Sequence, residues 1–294
     1  MIFLISPPSS FPQGEVFTVH AGDSLQQISN NLKNENVIRS VFAFRTSAII
    51  LGGEHKIIAG DYLLDKKENA LVLAYRLING SFHLQTVKIT IPEGWCAYEI
   101  TDYLGKTLLK FDKKQFLALA EKNEGYLFPD TYFVSPTAKP EEIIDLMKNN
   151  FAAKISAVQK QILASGHSES DIIKMASILE GEALPADRPK VAGILWRRLA
   201  LGMPLQVDST FKYINEKNSY DLTADDLKID SPYNTYINKG LPPTPINNPG
   251  LNSILAAITP VKTKYLYFLT EKDGTIHYAV TFAEHVANKV RYLK

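Results

Sequence analysis

The stretch MASILEGEALPADRPKVAGILWRRLALGMPLQVDST, residues 175–210, carries the helix signals that decide the fold of the second half of the chain. The helix that contains its first residues is predicted to start at Ser168, because Asp171 follows three positions later in a pattern that resembles a capping box. At about 100° per residue, apolar side chains then recur on one face, as in a helix that packs against a core. This predicted stripe consists of Ile172, Met175, Ala176 and Leu179.

A second helix is predicted to follow directly. Asp187 suits its N-cap, Pro189 falls in its first turn, and Gly202 suits its C-cap. The next segment, residues 203–214, would align alternate side chains on one side if it were extended. These alternate residues are Gln206, Asp208 and Thr210.

Two carboxylates, Glu180 and Glu182, stand at the end of the first helix with only Gly181 between them. Residues two apart on a helix point about 200° apart, so they cannot work as a facing pair. A glycosidase with two working carboxylates needs them about 5–9.5 Å apart across one sugar, which this motif does not supply. A single glutamate at the edge of an apolar face is different, because partial desolvation raises its pKa and keeps it protonated, as a general acid requires. The alternative for either glutamate is a solvated surface charge.

The first third of the chain contains an internal repeat. FTVHAGDSLQQISNNL, residues 17–32, aligns with ITIPEGWCAYEITDYL, residues 89–104. Each copy has the pattern of a short strand, a glycine turn and an amphipathic helix. After the first copy, a helix over 37–51 and a returning strand over 56–64 complete a strand–helix–helix–strand unit. The repeat predicts small modules placed side by side.

The last part of the chain is rich in loops. Residues 231–250 hold five of the sixteen prolines, which predicts a rigid loop rather than a helix or central strand. KYLYFLT and TIHYAVTF flank an Asp273–Gly274 turn and predict a β-hairpin.

Composition excludes several classes of function. The formal net charge is +1, so no broad basic surface for nucleic acid is expected, and a single cysteine rules out an intrachain disulfide. The six histidines include no pair spaced for a helical metal site, and no phosphate-binding or dinucleotide-binding glycine motif is present. We therefore expect neither a metal nor another cofactor, and no nucleic-acid partner.

Several long motifs occur in a fixed order along the chain. EGYLFPDTY at 124–132 precedes the stretch 175–210, which is followed by YNTYINKGLPPTPINNPGLNSILAA at 233–257 and YLYF at 265–268. Together they resemble the YceG-like (MltG-type) endolytic murein transglycosylases of bacteria, and FTVHAGDSL at 17–25 is similar to the LysM-like module of that family. The sequence departs from the family pattern at Thr244, where glycine is more frequent.

The resemblance implies an enzyme that cuts glycan strands between N-acetylmuramic acid and N-acetylglucosamine and leaves a 1,6-anhydromuramoyl end. One glutamate then suffices, since the nucleophile is the substrate's own C6 hydroxyl. Ile178 stands four residues before Glu182, as in the I-x-x-x-E-S helix ending of soluble lytic transglycosylases, so Glu182 is predicted as the acid and base. Glu180 is expected to support it or to be the alternative acid. The predicted glycan-contacting residues are Gln206, Asp208, Thr210, Tyr233, Asn234, Thr235 and Tyr236.

The expected fold is α+β, with LysM-like modules followed by a mostly helical, loop-rich catalytic domain that carries the hairpin. Residues 1–15 are expected to form a tail, 16–86 a LysM-like module and 87–294 the catalytic domain, with 87–110 as a candidate second LysM-like repeat element. MIFLIS, residues 1–6, is too short to span a bilayer. We expect either a frayed tail or the stub of a membrane anchor, the latter because family members carry a transmembrane helix there.

Partners and location follow from the same resemblance. Peptidoglycan glycan strands are the expected substrate, and peptidoglycan synthases are expected neighbours. The catalytic domain is expected in the bacterial cell envelope, on the outer side of the cytoplasmic membrane. The alternatives are a peptidoglycan-binding scaffold protein without catalysis and a muramidase that uses water.

Overall fold

The computed structural model describes residues 2–217, 221–271 and 273–292. It divides into two compact units. The first consists of Met1–Val87 and Ser135–Thr137, and the second of Lys88–Val134 and Ala138–Lys294. Small two-stranded sheets among many helices make the fold α+β, as predicted.

The first unit contains the predicted strand–helix–helix–strand order. Its elements are helix α1 (Ile2–Ile5), strand β1 (Val16–Val19), helices α2 (Leu25–Asn34) and α3 (Val41–Ile50), strand β2 (Gly60–Leu63) and helix α4 (Ala70–Asn79). β1 and β2 pair antiparallel, with Val16 opposite Leu63 and Val19 opposite Gly60. The helix α4 was not predicted. The assignment of this unit as a LysM-like module stays a prediction.

Local signals explain why α2 starts where it does. Gly22 has a φ of +90°, which supplies the sharp turn expected after the first strand. The Ser24 side chain then accepts a hydrogen bond from the backbone amide of Gln27, and the Gln27 side chain accepts one from the backbone amide of Ser24. These two hydrogen bonds form a complete capping box. Below this turn, Phe17, Phe44 and Tyr62 are fully buried and form the centre of the core of the unit.

The segment before β1 is packed rather than frayed. Phe11 is 6% exposed and belongs to the core of the first unit. The Arg39 side chain donates a hydrogen bond from Nε to the backbone oxygen of Pro7 at 3.0 Å. Met1 lies outside the described residues, so the predicted anchor stub is described only from residue 2 onward. Within the described part of the chain, no helix has the length and apolar character needed to cross a membrane.

The second unit is mostly helical. Its elements are β3 (Val87–Thr90), α5 (Ala97–Thr107), α6 (Lys113–Glu121), β4 (Thr131–Val134), α7 (Pro140–Ser165), α8 (Glu169–Glu182), α9 (Arg188–Ala200), α10 (Ser209–Asn215), α11 (Leu251–Ile258), β5 (Tyr267–Thr270), β6 (Ile276–Ala279) and α12 (Phe282–Tyr292). β5 and β6 form the predicted antiparallel hairpin. β3 and α5 have the strand–turn–helix form of the second repeat, although β3 pairs with β4.

Helix α8 lies in the core of the second unit. Its predicted stripe is buried, and the structure buries Ile173 and Ile178 as well, so the helix is apolar on nearly all sides. It packs against α9, α10 and α11. Ser168 caps its start and accepts a hydrogen bond from the backbone of Asp171, as predicted. A helix held on so many sides is a rigid mount for the side chains at its C-terminal end.

The ends of α9 differ in detail from the prediction. Asp187 stands at the N-cap, but its side chain makes no capping hydrogen bond and instead accepts one from the Tyr278 hydroxyl at 2.8 Å. Leu201 is the C-cap, and Gly202 follows it with a φ of +66°. The glycine therefore takes the left-handed position that commonly ends a helix.

The condition on which the alignment over 203–214 depended, an extended segment, is not met in its second half. Gln206 has a φ of +51°, which interrupts the extended run, and α10 begins at Ser209. The reason is tertiary, because the backbone amide of Val207 donates to the hydroxyl of Thr235 at 3.0 Å and the Asp208 side chain is held by Tyr236. Gln206, Asp208 and Thr210 therefore do not line up on one side.

Candidate active site

A polar cavity of about 610 Å³ lies at the C-terminal end of α8. Its walls come from the turn before α5, the end of α8, the start of α10 and the loop before α11. Side chains of both charges face it, which suits a polar ligand with many hydroxyl and amide groups. The lining residues that matter below are Glu93, Glu180, Gly181, Asp208, Ser209 and Asn247.

The carboxylate of Glu180 is engaged in contacts that hold helices together. Its Oε1 accepts a hydrogen bond from Arg188 Nη2 at 2.6 Å. Its Oε2 accepts from the backbone amide of Gly250 at 3.0 Å and from the Ser253 hydroxyl at 2.8 Å. Both side chains of the ion pair are only 6% exposed. Since Arg188 begins α9 and Gly250 caps α11, Glu180 ties α8 to both neighbouring helices.

Glu182 has different partners, as expected for a side chain on the other flank of the helix. Its Oε1 accepts a hydrogen bond from the backbone amide of Ser209 at 2.8 Å. Burial raises the pKa of the Glu182 carboxyl from 4.5 to about 7, the charge of Asp208 adds to the rise, and the groups of Ser209 oppose it. Glu182 itself does not line the cavity, but Gly181 and Ser209 beside it do.

These surroundings give the two glutamates different chemistry. Glu180 is held in a buried ion pair with Arg188, and both of its carboxylate oxygens accept hydrogen bonds from groups of the neighbouring helices. A carboxyl with a pKa of about 7 holds its proton up to neutral pH and can release and regain it during a reaction. The arrangement therefore favours Glu182 as the acid and Glu180 as a structural support.

Three other predicted site residues form two hydrogen-bonded pairs, of which the pair of Tyr236 and Asp208 lies near Glu182. The Tyr236 hydroxyl donates a hydrogen bond to Asp208 Oδ1, and Arg198 donates to Gln206 Oε1. Burial raises the pKa of the Tyr236 hydroxyl, and the Asp208 charge adds to this effect. Asp208 lines the cavity next to Ser209, so the pair that it forms with Tyr236 places a carboxylate in the cavity wall.

The remaining predicted contact residues are mostly internal. Thr210, Asn234 and Thr235 are buried, and their side chains bond to backbone groups of neighbouring loops. These three side chains shape the loop and do not face the cavity. The Tyr233 hydroxyl bonds to that of Thr244 at 2.8 Å, and its ring lies 4.9 Å from the ring of Tyr213, which lines the cavity.

Glu93 and Asn247 are cavity residues that sequence reasoning missed. Burial raises the pKa of Glu93, and the nearby charge of Glu180 raises it further. Asn247 donates a hydrogen bond from Nδ2 to the backbone oxygen of Ser177 at 2.8 Å. Both residues stood in recognised segments, the repeat and the proline-rich loop, but nothing in the local pattern indicated that these segments meet.

A buried polar link fixes the aromatic loop EGYLFPDTY next to the site. Glu124 is 3% exposed and accepts hydrogen bonds from the backbone of Ala97 at 2.9 Å and from Asn248 Nδ2 at 2.7 Å. Asn248 Oδ1 in turn accepts from the backbone amides of Gly125 and Leu127, each at 2.9 Å. Burial raises the pKa of Glu124 to about 8, so at neutral pH the Glu124 side chain makes these contacts mainly as a neutral carboxylic acid.

Among the described residues, one group could present three metal-ligand atoms together, namely Asp65, Glu68 and His83 in the first unit. The Arg76 guanidinium lies 2.6 Å from Glu68 and 3.7 Å from Asp65. A fixed positive charge at this point already neutralises the carboxylates and opposes a cation. The group is therefore explained as an ion-pair cluster.

The fold and this site define a member of one protein family. The chain matches the YceG-like family over residues 17–291 and belongs to it, which confirms the predicted family. A crystal structure of a YceG-like protein from Listeria monocytogenes has a similar fold, with a TM-score of 0.63 and 29% identity over 93% of this chain and 98% of that one.

Two curated relatives carry the name endolytic murein transglycosylase. The one from Bacillus subtilis strain 168 is 33% identical over 303 residues, which cover 94% of this chain and 84% of the relative. The one from Streptococcus pneumoniae serotype 2 strain D39 is 33% identical over 317 residues, which cover 92% of this chain. The chain spans 57% of the length of that second relative.

Proposed function

We propose that the protein is an endolytic murein transglycosylase that cleaves the β-1,4 bond between N-acetylmuramic acid and N-acetylglucosamine without water. Family membership and the names of the curated relatives support the enzyme class, a lyase acting on peptidoglycan. The observation that carries the finer mechanism is the single carboxyl Glu182, whose pKa of about 7 contrasts with the ion-paired state of Glu180.

In the proposed reaction, Glu182 donates its proton to the glycosidic oxygen as the bond from C1 of the muramic acid to that oxygen breaks. The C6 hydroxyl oxygen of the same sugar then bonds to C1, and its proton passes to the Glu182 carboxylate. The products are a 1,6-anhydromuramoyl end and a new free glucosamine end, and the enzyme regains its starting protonation state. No water enters and no second carboxylate is needed, because the nucleophile belongs to the substrate.

The surroundings of Glu182 support this cycle. Because its pKa lies near neutrality, the cost of giving up and regaining a proton is small at physiological pH. The Ser209 amide donates to the carboxylate and stabilises the charged form that exists between the two proton transfers. The cavity beside it offers Asp208 and Asn247 for the hydroxyl and acetamido groups of the glycan.

The proposal is tested by digesting isolated peptidoglycan and identifying the released glycans by mass spectrometry. Anhydromuramoyl ends within long strands are expected. Reducing muramic ends would instead identify a muramidase, and release of no fragments would favour a scaffold protein. Glu182→Gln is expected to abolish product formation while the chain stays folded, and a fully active Glu182→Gln protein would refute the assignment of the acid.

The cellular setting belongs to the same proposal. Peptidoglycan lies outside the cytoplasmic membrane, so we place the catalytic unit in the cell envelope on that side, next to peptidoglycan synthases. The first unit would hold glycan there as a LysM-like module. Binding of labelled glycan strands by the protein with Glu182→Gln, which cannot consume them, measures glycan binding by the whole chain separately from catalysis.

A further inference from the structure

Gly181, between the two glutamates, allows a close approach of two helices. A Cβ atom added at Gly181 would lie 2.8 Å from the Cβ of Ser209 and 4.0 Å from its Cα. Contacts below about 3 Å between carbon atoms are strongly repulsive, since the optimum is about 3.5–4.0 Å. The end of α8 and the start of α10 therefore approach more closely at Gly181 than any other residue would permit.

The backbone conformation gives no separate reason for glycine at this position. Gly181 is not among the residues with positive φ, and it lies within α8, where alanine has the higher helix propensity. The requirement for glycine thus comes from the neighbouring helix. Only the side chain of Ser209 stands in the path of a larger residue.

The close approach brings the first amide of α10 to the proposed acid. Glu182 Oε1 accepts a hydrogen bond from the Ser209 backbone amide at 2.8 Å. The Ser209 hydroxyl is near enough to the carboxyl to favour its charged form, yet it has no partner at hydrogen-bond geometry among the described residues. The Ser209 backbone amide is consequently the main group that orients the carboxyl, with a smaller contribution from the Asp208 backbone.

We propose that Gly181 and Ser209 form a positioning device, in which the missing side chain at residue 181 lets the Ser209 amide hold Glu182 in its working orientation. This inference rests on the proposed function, in which Glu182 is the acid. Gly181 acts through its neighbours and touches no reacting atom, so it is a positioning residue. A displacement of reacting groups by about 1 Å typically lowers rates about 100-fold.

The test uses five variants of the full chain, namely the single variants Gly181→Ala, Ser209→Gly and Ser209→Ala and the two double variants that combine Gly181→Ala with each serine change. Gly181→Ala pushes Ser209 away from Glu182. Ser209→Gly removes the obstructing Cβ but keeps the backbone amide, and Ser209→Ala keeps the Cβ and removes only the hydroxyl. Each double variant is compared with its own serine variant as the parent.

Gly181→Ala is expected to lower turnover 10- to 100-fold on glycan strands with little change in KM. The same substitution is expected to lower turnover far less in the Ser209→Gly parent. There the atom nearest to the new Cβ is the Cα of residue 209, at an ordinary contact distance. In the Ser209→Ala parent the full loss should remain. Equal losses in both parents would overturn the proposal, and so would a fully active Gly181→Ala protein.

A second readout does not depend on activity. Loss of the amide contact removes a group that stabilises the charged form, so the pKa of Glu182 should rise further, and the alkaline limb of the rate profile should move to higher pH. The pKa is measured by NMR on protein with ¹³C-labelled glutamate, with Glu182→Gln to assign the signal. An unshifted pKa in Gly181→Ala would contradict the proposal. If the unmodified protein released no anhydro product, the proposed function would fail while this titration still tested the contact.

Discussion

Glu180 and Glu182 show how two identical side chains in one helical turn acquire opposite roles. The spacing alone predicted that they cannot face each other, and their separate partners agree with this. The assignment of Glu182 rested on resemblance, and its raised pKa gives an independent physical reason. The partner of Glu180 was not predictable, because Arg188 reaches it only through the path of the turn between α8 and α9.

Glu182→Gln is expected to change how stability depends on pH. In the folded chain the pKa of Glu182 is raised from 4.5 to about 7, so between these values the folded chain holds a proton that the unfolded chain releases. The free energy of unfolding should therefore fall as pH rises through this window. At pH 8 the glutamine variant should be more stable than the parent, by up to about 3 kcal/mol.

Urea denaturation at pH 4.5 and pH 8 measures this difference. The two proteins should differ least at the lower pH, where the Glu182 carboxyl is mostly protonated in the folded chain. Identical slopes of stability against pH in both proteins would contradict the raised pKa of Glu182.

Glu180→Gln is expected to lower stability strongly, because it leaves the buried Arg188 guanidinium without its counter-charge. Breaking a buried ion pair by removing one partner costs about 3 kcal/mol or more. The matched control is Asp225→Asn, which breaks an exposed pair with Lys228 and should change stability by less than about 0.5 kcal/mol. Chemical denaturation of both variants at pH 7 is the measurement, and equal effects would show that the Glu180 pair is not a structural anchor.

At the scale of elements, local signals predicted helices well and loops poorly. The start of α8 at Ser168 and the hairpin β5–β6 follow from capping and turn chemistry within a few residues. The alternate side chains after Gly202 would have lined up only in an extended segment, and the second half of this segment is helical. Its conformation depends on Thr235 and Tyr236, which are almost thirty positions away. The polar walls of the cavity also depend on contacts between segments that are distant in the sequence. Most of the site could therefore not be predicted from local sequence patterns.

Gly193→Ala is expected to disturb the packing of α9. An added Cβ would lie 2.0 Å from the backbone oxygen of Val261, whose amide is itself tied to Pro189 of α9 at 2.8 Å. Neither backbone can move without breaking that hydrogen bond, so a loss of about 2–3 kcal/mol is expected.

Gly105→Ala in α5 is the matched control for this substitution. There the three atoms nearest to the added Cβ all belong to the long side chain of Lys113, which can swing aside. This variant should be neutral or more stable, since alanine is the better helix former by up to about 1 kcal/mol. Thermal unfolding of both proteins compares them, and equal melting temperatures would contradict the close packing at Gly193.

At the scale of the whole molecule, each compact unit has its own apolar core. A fragment of residues 1–87, which lacks only Ser135–Thr137 of the first unit, is therefore expected to fold by itself. A fragment of residues 88–294 should keep the raised pKa of Glu182, because Ser209 and Asp208 both lie within it. Circular dichroism during heating tests whether each fragment unfolds cooperatively. A gradual, non-cooperative loss of signal from the first fragment would show that the unit needs the rest of the chain.

The hydrogen bonds from the aromatic loop to Asn248 also determine when the loop can take its final conformation during synthesis. The amides of Gly125 and Leu127 find their acceptor 123 and 121 positions later in the chain. At about 5–20 residues per second, the loop waits about 6–25 s before Asn248 has been made. During that time Leu127 and Phe128, which are buried in the finished protein, are still exposed and can associate with other chains. The growing chain is therefore most dependent on protection by chaperones in the interval between these two segments.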